Sequence, residues 1–222
     1  AVVLRSANVS GDSLTLWPAT FTGDMTTWLK RTIEYFAARD DVQFLLRVHP
    51  GEKNLDGPSI ADLVADWLPD LPAHMRVIKA DDPVNTYDLI AIADLGLVYT
   101  TTVGLEMAMS GLPVIVLGKT HYRGKGFTLD PSNWEEYFTL LDETLSKQSD
   151  ARLSQEQIDS AWHYAYRFFF DYPQPFPWHL LHFWEDAERF TLDQLFSDRG
   201  QEQYAQTFAH LSGEAFDWER AG

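Results

Sequence analysis

Three short stretches hold residue types suited to phosphate or sugar chemistry. The first is RVHPGE at residues 47–52. An apolar run over residues 42–48 leads into it, so His49 falls where a strand ends. Pro50 cannot donate a ladder hydrogen bond and stops the strand, and Gly51 permits a sharp turn. An imidazole fixed there can donate to a phosphate oxygen, or act as an acid toward a leaving group near neutral pH. The pair reads equally well as a strand terminator with a structural histidine. Arg47 and Glu52 flank it as further candidate contacts.

The second stretch is YTTTVGLEMAMSGLPVIVLG at residues 99–118. A strand ends at Tyr99, then Thr100, Thr101 and Thr102 precede a helix opening near Gly104. First-turn N–H groups are unpaired and carry partial positive charge, which suits anions. Thr101 and Thr102 add hydroxyl donors, each bond to a charged oxygen contributing about 1.5–3 kcal/mol. Glu106 can accept from a ribose hydroxyl, or merely compensate the helix dipole at about 0.3–1 kcal/mol. An ordinary N-cap is the plain alternative for the threonines. The third stretch, KTHYRGKGFT, gathers Lys119, His121, Tyr122, Arg123 and Lys125 with Gly124 and Gly126. This basic loop suits a flexible clamp on a diphosphate or anionic sugar, though such loops are usually only solvated.

These stretches need a scaffold that brings strand ends together. Strand-like segments are expected at residues 2–9, 42–48, 75–79, 95–99 and 113–117, alternating with helices at 24–39, 59–68, 84–93 and 104–110. Asp24 and Ser59 are placed to cap two of them. Such alternation predicts a doubly wound, Rossmann-like parallel sheet, α/β in class, with ligands outside the carboxyl ends of the strands. Loops at 10–23, 49–57, 80–83, 100–104 and 118–126 therefore attract interest. Beyond residue 120 the texture is helical: 133–147, 154–170, 178–196 and a weak helix at 201–211, interrupted by FDYPQPFPW with its three prolines. Residues 1–150 are expected as the Rossmann-like unit and 151–222 as a helical C-terminal extension. The aromatics of residues 163–184 are expected to be core.

The totals limit the partners. The chain of 222 residues has 17 Lys and Arg against 33 Asp and Glu, a net charge of −16. Such a surface repels nucleic acid and anionic membranes. It reflects a salt-adapted host or a well-solvated surface. With no Cys there are no disulfides, thiolate nucleophiles or Cys-based zinc sites. No apolar run approaches the ~20 residues of a membrane span, and no signal peptide is evident. The opening inside a strand, without Met, looks like a fragment of a larger protein. His179 and His182 are three apart, as a metal pair or as packed histidines.

RVHPGE, then DDPVNTYDLIAIADLGLVYTTTVGLEMAMSGLPVIVLG, then THYRGKGFTLDP together resemble bacterial capsular polysaccharide biosynthesis proteins, which look like glycosyltransferases of the two-domain GT-B architecture. The resemblance spans roughly residues 8–131 and, more loosely, the aromatic helix as far as Trp178. It implies a C-terminal, donor-binding half whose N-terminal acceptor domain is absent. Capsule-type Kdo transferases and sialyltransferases carry an HP motif and a later Ser/Ser or Ser/Thr motif, both on the cytidine monophosphate of the donor. By similarity His49 and Pro50 match the first, and Thr101 and Thr102 match the second as a Thr–Thr pair. The resemblance implies a CMP- or UDP-sugar donor, a saccharide acceptor, no cofactor and no metal. His49, Arg123 and Lys125 become catalytic candidates. Arg47, Pro50, Glu52, Thr100, Thr101, Thr102, Gly104, Glu106, Lys119, His121 and Tyr122 become binding candidates around one gap small enough for a single phosphate. It places the protein in the cytoplasm or at the cytoplasmic face of the inner membrane. Glycerophosphotransfer, nucleotide-sugar epimerisation and a non-catalytic role in capsule assembly remain open on the same fold.

Overall fold

The computed structural model describes residues 1–8, 21–54, 57–147 and 151–215. Five strands, β1 (Val2–Ser6), β2 (Gln43–Arg47), β3 (Met75–Ile78), β4 (Leu95–Val98) and β5 (Val114–Val116), form one sheet. The order is β3-β2-β1-β4-β5, and every pairing is parallel. Leu4 sits between Leu45 of β2 and Gly96 of β4. The order reverses at β1, so the crevice between the exits of β1 and β4 is the topological switch point, where ligands of such sheets collect.

Helices α1 (Met25–Ala37), α2 (Ile60–Trp67), α3 (Thr86–Ile92), α4 (Val103–Met109), α5 (Trp134–Lys147) and α6 (Gln155–Tyr166) follow the expected alternation. Asp24 caps α1 by accepting from Thr27 N at 2.7 Å. Ser59 and Asp62 form a reciprocal capping box on α2. One buried cluster joins Val3, Phe44, Leu46 and Leu97 to Trp28, Ile33 and Phe36 of α1 and Tyr137 and Leu141 of α5. The alternate strand residues Leu4, Val98, Val114 and Val116 are fully buried too, as are Leu105, Met107 and Ala108 of α4. Both sheet faces are therefore covered, as the near-continuous apolar strands require.

The chain divides into two compact units, Ala1–His163 and Tyr164–Gly222. The first thus runs past residue 150 to take in most of α6, where Trp162 Nε1 donates to Met109 O at 3.1 Å. In the second unit the helix expected to run to residue 170 ends at Tyr166 and passes into one π turn, Arg167–Asp171. The single helix expected over 178–196 is broken into a 3-10 turn, Leu180–His182, then α7 (Phe183–Arg189) and α8 (Leu192–Leu195). Phe190 turns extended, and Thr191 caps a new start with Gln194. The last helix, α9 (Asp198–Leu211), begins earlier than expected because Ser197 caps it.

The aromatic stretch departs most from expectation. Tyr166, Phe169, Phe170, Tyr172 and Trp184 are exposed, Trp184 by 81%. Leu195 and Tyr204 are buried, and Trp178 Nε1 donates to Phe190 O at 2.9 Å. The unit is short and its helices bury only a few side chains, so most of its rings stay on the surface.

Candidate functional site

Because all strands run one way, their exits share one edge. In sheet order the edge carries Lys79, His49, residues 6–8, Thr100–Thr102 and Gly118. His49 and the threonines are thus on the same edge, with β1 between them. Strand spacing of about 4.8 Å separates β2 from β4 by about 10 Å. That is the spacing of the strand exits that carry the imidazole and the threonines.

His49 is half-buried, and its Nδ1 accepts from Gly51 N at 3.0 Å. The ring proton is therefore on Nε2, which is left as the donor. Pro50 opens a 3-10 turn, Pro50–Asn54, where a missing N–H costs nothing. Gly51 follows in that tight turn, as expected, and does so without a positive φ. The turn needs the Gly51 N–H more than its freedom. Glu52 is buried and accepts from Ile60 N at 3.1 Å, anchoring the turn to the start of α2. Arg47 is buried on the opposite sheet face from Leu46. Its guanidinium donates to Lys79 O and, at 3.3 Å, to Val84 O. Arg47 therefore ties β2 to the loop after β3.

On the other side, Asn8 Nδ2 donates to Thr100 Oγ1 at 2.7 Å, and Thr100 N reaches Asn8 Oδ1 at 3.4 Å. This clasp joins the exits of β1 and β4 across the switch point. Thr100 is scaffold, and Asn8 is a member that sequence reasoning passed over. Thr102 takes the N-cap position of α4 in a helical conformation and makes no side-chain cap bond. The amides of Gly104 and Leu105 already donate to Thr101 O and Thr102 O at 3.2 and 2.9 Å. Val103 N reaches Thr101 Oγ1 at 3.5 Å, so among the described residues the open donors lie earlier than expected, at the amides of Thr101 and Thr102. Glu106 is half-buried and hydrogen-bonds Tyr87 of α3, pushing that phenol's pKa up.

Gly104 serves packing. A Cβ there would lie 2.8 Å from Val98 Cγ2, and closer still to the Tyr122 hydroxyl. Tyr122 is fully buried and donates to Thr101 O at 2.6 Å, and burial raises its pKa well above the ordinary phenol value. Tyr122 thus holds the threonine turn from beneath. The basic loop is a built turn, contrary to the flexible clamp expected. Arg123 donates to Val116 O and Pro131 O, and Gly124, at φ 73°, donates to Asp130 Oδ2 at 2.8 Å. Arg123 is thereby committed to carbonyls. His121 lies edge-on against Tyr122, and burial lowers its pKa. Lys119 and Lys125 are exposed on the same turn.

A separate cleft of about 260 Å³ opens beside the HP turn, lined by Val48, Glu52, Lys53, Ser59, Lys79 and Asp81 among others. Among the described residues no cluster of three or more His, Asp or Glu could hold a metal ion. His179 and His182 make local bonds, to Leu181 N and to the Glu185 carboxylate. No helix of the described residues is long and apolar enough to cross a membrane.

The edge is that of a Rossmann-like parallel sheet, with an imidazole and a threonine turn on the strands to either side of β1. Residues 6–166 match the capsule polysaccharide biosynthesis protein family, and the chain belongs to it. Among solved structures, it is similar to KpsC of Thermosulfurimonas dismutans. The beta Kdo 2,4 transferase is 22% identical at a TM-score of 0.44, over 72% of this chain and 43% of that one. The beta Kdo 2,7 transferase is 19% identical at 0.44, over 72% and 44%. It is also similar to UDP-GlcNAc 2-epimerase from Neisseria meningitidis bound to UDP-GlcNAc, 13% identical at 0.45, over 75% and 43%. The chain covers less than half the length of each of these. No curated protein matches it.

Proposed function

We propose that this chain is the donor-binding half of a GT-B glycosyltransferase that uses a CMP- or UDP-activated sugar in capsular polysaccharide synthesis. The carrying observation is the Nδ1 bond from Gly51 N, which leaves His49 Nε2–H as a fixed donor on the edge of the family-matched sheet. In this reading His49 donates to an oxygen of the leaving phosphate. The open amides and hydroxyls of Thr101 and Thr102 hold the other end of the nucleotide, about 10 Å away by strand spacing. Donors fixed in advance stabilise charge as it develops on the leaving group. Lys119 and Lys125 add positive charge from the neighbouring turn. Glu106 stands in the first turn of α4, where a ribose hydroxyl can reach it.

The reading assigns metal-independent transfer without a cofactor, carried out in the cytoplasm or at the inner face of the inner membrane. The acceptor saccharide belongs to an N-terminal half of the same protein, and the helical residues after the first unit, from Tyr164 on, follow the donor unit as an extension. Calorimetry with CMP, CDP, UDP and GDP tests it. One cytidine or uridine nucleotide binds, and His49→Ala weakens that binding at least about tenfold, the 1.4 kcal/mol of one good hydrogen bond to phosphate. Absence of binding to all four at millimolar concentration refutes the reading. Transfer that persists in EDTA is the corresponding result for the enzyme with both halves.

A further inference from the structure

Among the described residues, the buried side-chain atoms without a hydrogen-bond partner are all nitrogen donors: Nε, Nη1 and Nη2 of Arg5, Nε1 of Trp28, and Nε of Arg47. Arg47 has carbonyls on its other nitrogens. Arg5 has none on any. It is fully buried one residue before the end of β1, with its guanidinium carbon 4.9 Å from the centre of the Trp28 ring. Val3 and Ala7, the alternate residues of its strand face, belong to the apolar cluster.

The charge cannot be shed. Burial lowers the Arg5 pKa only to about 10, so the group stays protonated at pH 7. Glu52 and Tyr137 are the titratable groups whose fields reach it. Glu52 offsets the charge through space, yet takes none of its N–H groups and instead accepts from Ile60 N. Tyr137 shares its hydroxyl with Thr32 Oγ1 at 2.8 Å, and the Trp28 indole N–H faces the same hydroxyl. Stacking on Trp28 supplies attraction to the cation but no acceptor. A buried ion normally survives only when paired and hydrogen-bonded. A guanidinium is a donor only, so what Arg5 lacks is a group made of acceptors.

We infer that Arg5, stacked on Trp28, forms an oxyanion-binding site beneath the carboxyl edge of β1, taking a carboxylate or phosphate group of a bound ligand. The planar fork of Arg5 suits two oxygens at once, and the Trp28 ring stacked on it holds its plane. Arg5 lies within β1, the strand that borders the switch point, beneath the exits that carry the HP turn and the Asn8–Thr100 clasp on its two neighbours. The site stands whether or not the donor is a nucleotide sugar. Its source, the carboxylate of an acidic sugar or a phosphate, is separated by experiment.

The test is thermal denaturation of the protein in inorganic phosphate and in formate, with chloride at matched ionic strength as control. Tm rises with the logarithm of oxyanion concentration, by about 3–6 °C at ten times Kd. A response to phosphate alone assigns a phosphate group, and a response to formate assigns a carboxylate. Arg5→Met removes the response while keeping the fold, because an apolar side chain of similar length replaces an unpaired buried ion without loss. Trp28→Phe weakens the response severalfold. Glu52→Gln, which keeps the acceptor for Ile60 N and removes the repelling charge, strengthens it. No response to either anion beyond chloride overturns the inference, as does an undiminished response in Arg5→Met. Should Arg5→Met fail to fold, unchanged responses in both Arg5→Lys and Trp28→Phe overturn it, and weakened responses sustain it. Nucleotide binding is measured separately, so its failure does not carry over.

Discussion

Gly104→Ala tests how the threonine turn is held. The added Cβ would lie 2.8 Å from Val98 Cγ2 and still closer to the Tyr122 hydroxyl, and all three residues are in or beside the core. Overpacking costs about 1–3 kcal/mol. Moving Tyr122 also weakens its 2.6 Å bond to Thr101 O, worth about 1 kcal/mol. Ala recovers up to about 1 kcal/mol over Gly for the helix. The net is about 1–3 kcal/mol, or about 2–12 °C in Tm for a chain of this size. Tyr122→Phe removes the hydroxyl that the new methyl meets. Alone it costs about 0.5–1.5 kcal/mol, toward the low end, since Thr101 O keeps a bond from Gly104 N at 3.2 Å. The double variant should be more stable than the sum by about 0.5 kcal/mol or more, in urea denaturation followed by circular dichroism. Additivity within about 0.3 kcal/mol would mean the two groups do not touch, and the account of Gly104 would fail.

Three further outcomes follow from the same geometry. Thr102→Ala should change stability by less than about 0.5 kcal/mol, because no cap bond is lost, whereas Ser59→Ala should cost about 1–2 kcal/mol with its capping box; urea midpoints compare them, and a nucleotide affinity lost in Thr102→Ala then reports ligand contact. Arg123→Met should lower Tm by several degrees through the carbonyls of Val116 and Pro131, while Lys125→Ala should leave Tm within about 2 °C; equal effects on Tm would refute the division between strut and surface. His121 is held below its ordinary 6.5 by burial, so the unfolded chain binds more protons in the window beneath 6.5. Its share of stability is present at pH 7, falls as pH drops through 6.5, and levels off below the depressed folded value. His121→Gln should flatten that part of the urea-midpoint profile.

The sheet was legible because each strand is an apolar run bounded by breakers, and each of α1 and α2 begins at a residue whose only good role is a cap. Asp24 and Ser59 both do what their positions imply. What the sequence hid is where a side chain's bonds go. Arg47, Arg123, Lys119 and Lys125 are all cations beside a strand exit, yet the first two reach main-chain carbonyls while the lysines sit on the surface. An arginine in a loop and an arginine in a strut have the same letter. The same holds for Gly104, where the constraint is a tyrosine eighteen positions on, brought there by the turn after β5.

Arg5 is the opposite case, a signal present in the sequence and passed over. VVLRSAN places one charged residue in a strand whose both faces must be covered, and burying a lone charge is costly enough to demand a partner. Loops after strands draw attention because ligands gather there, but β1 is the strand at which the sheet order reverses. A functional charge can therefore sit within the strand, below the edge, where alternation alone reads it as an interruption of the core. The His49 turn and the Asn8–Thr100 clasp flank that charge from β2 and β4. Three consecutive positions across the sheet edge, rather than two loops with a strand between them, are what a ligand would meet. A nucleotide reaching from His49 to Thr102 must pass over β1, and Arg5 is what lies beneath its path.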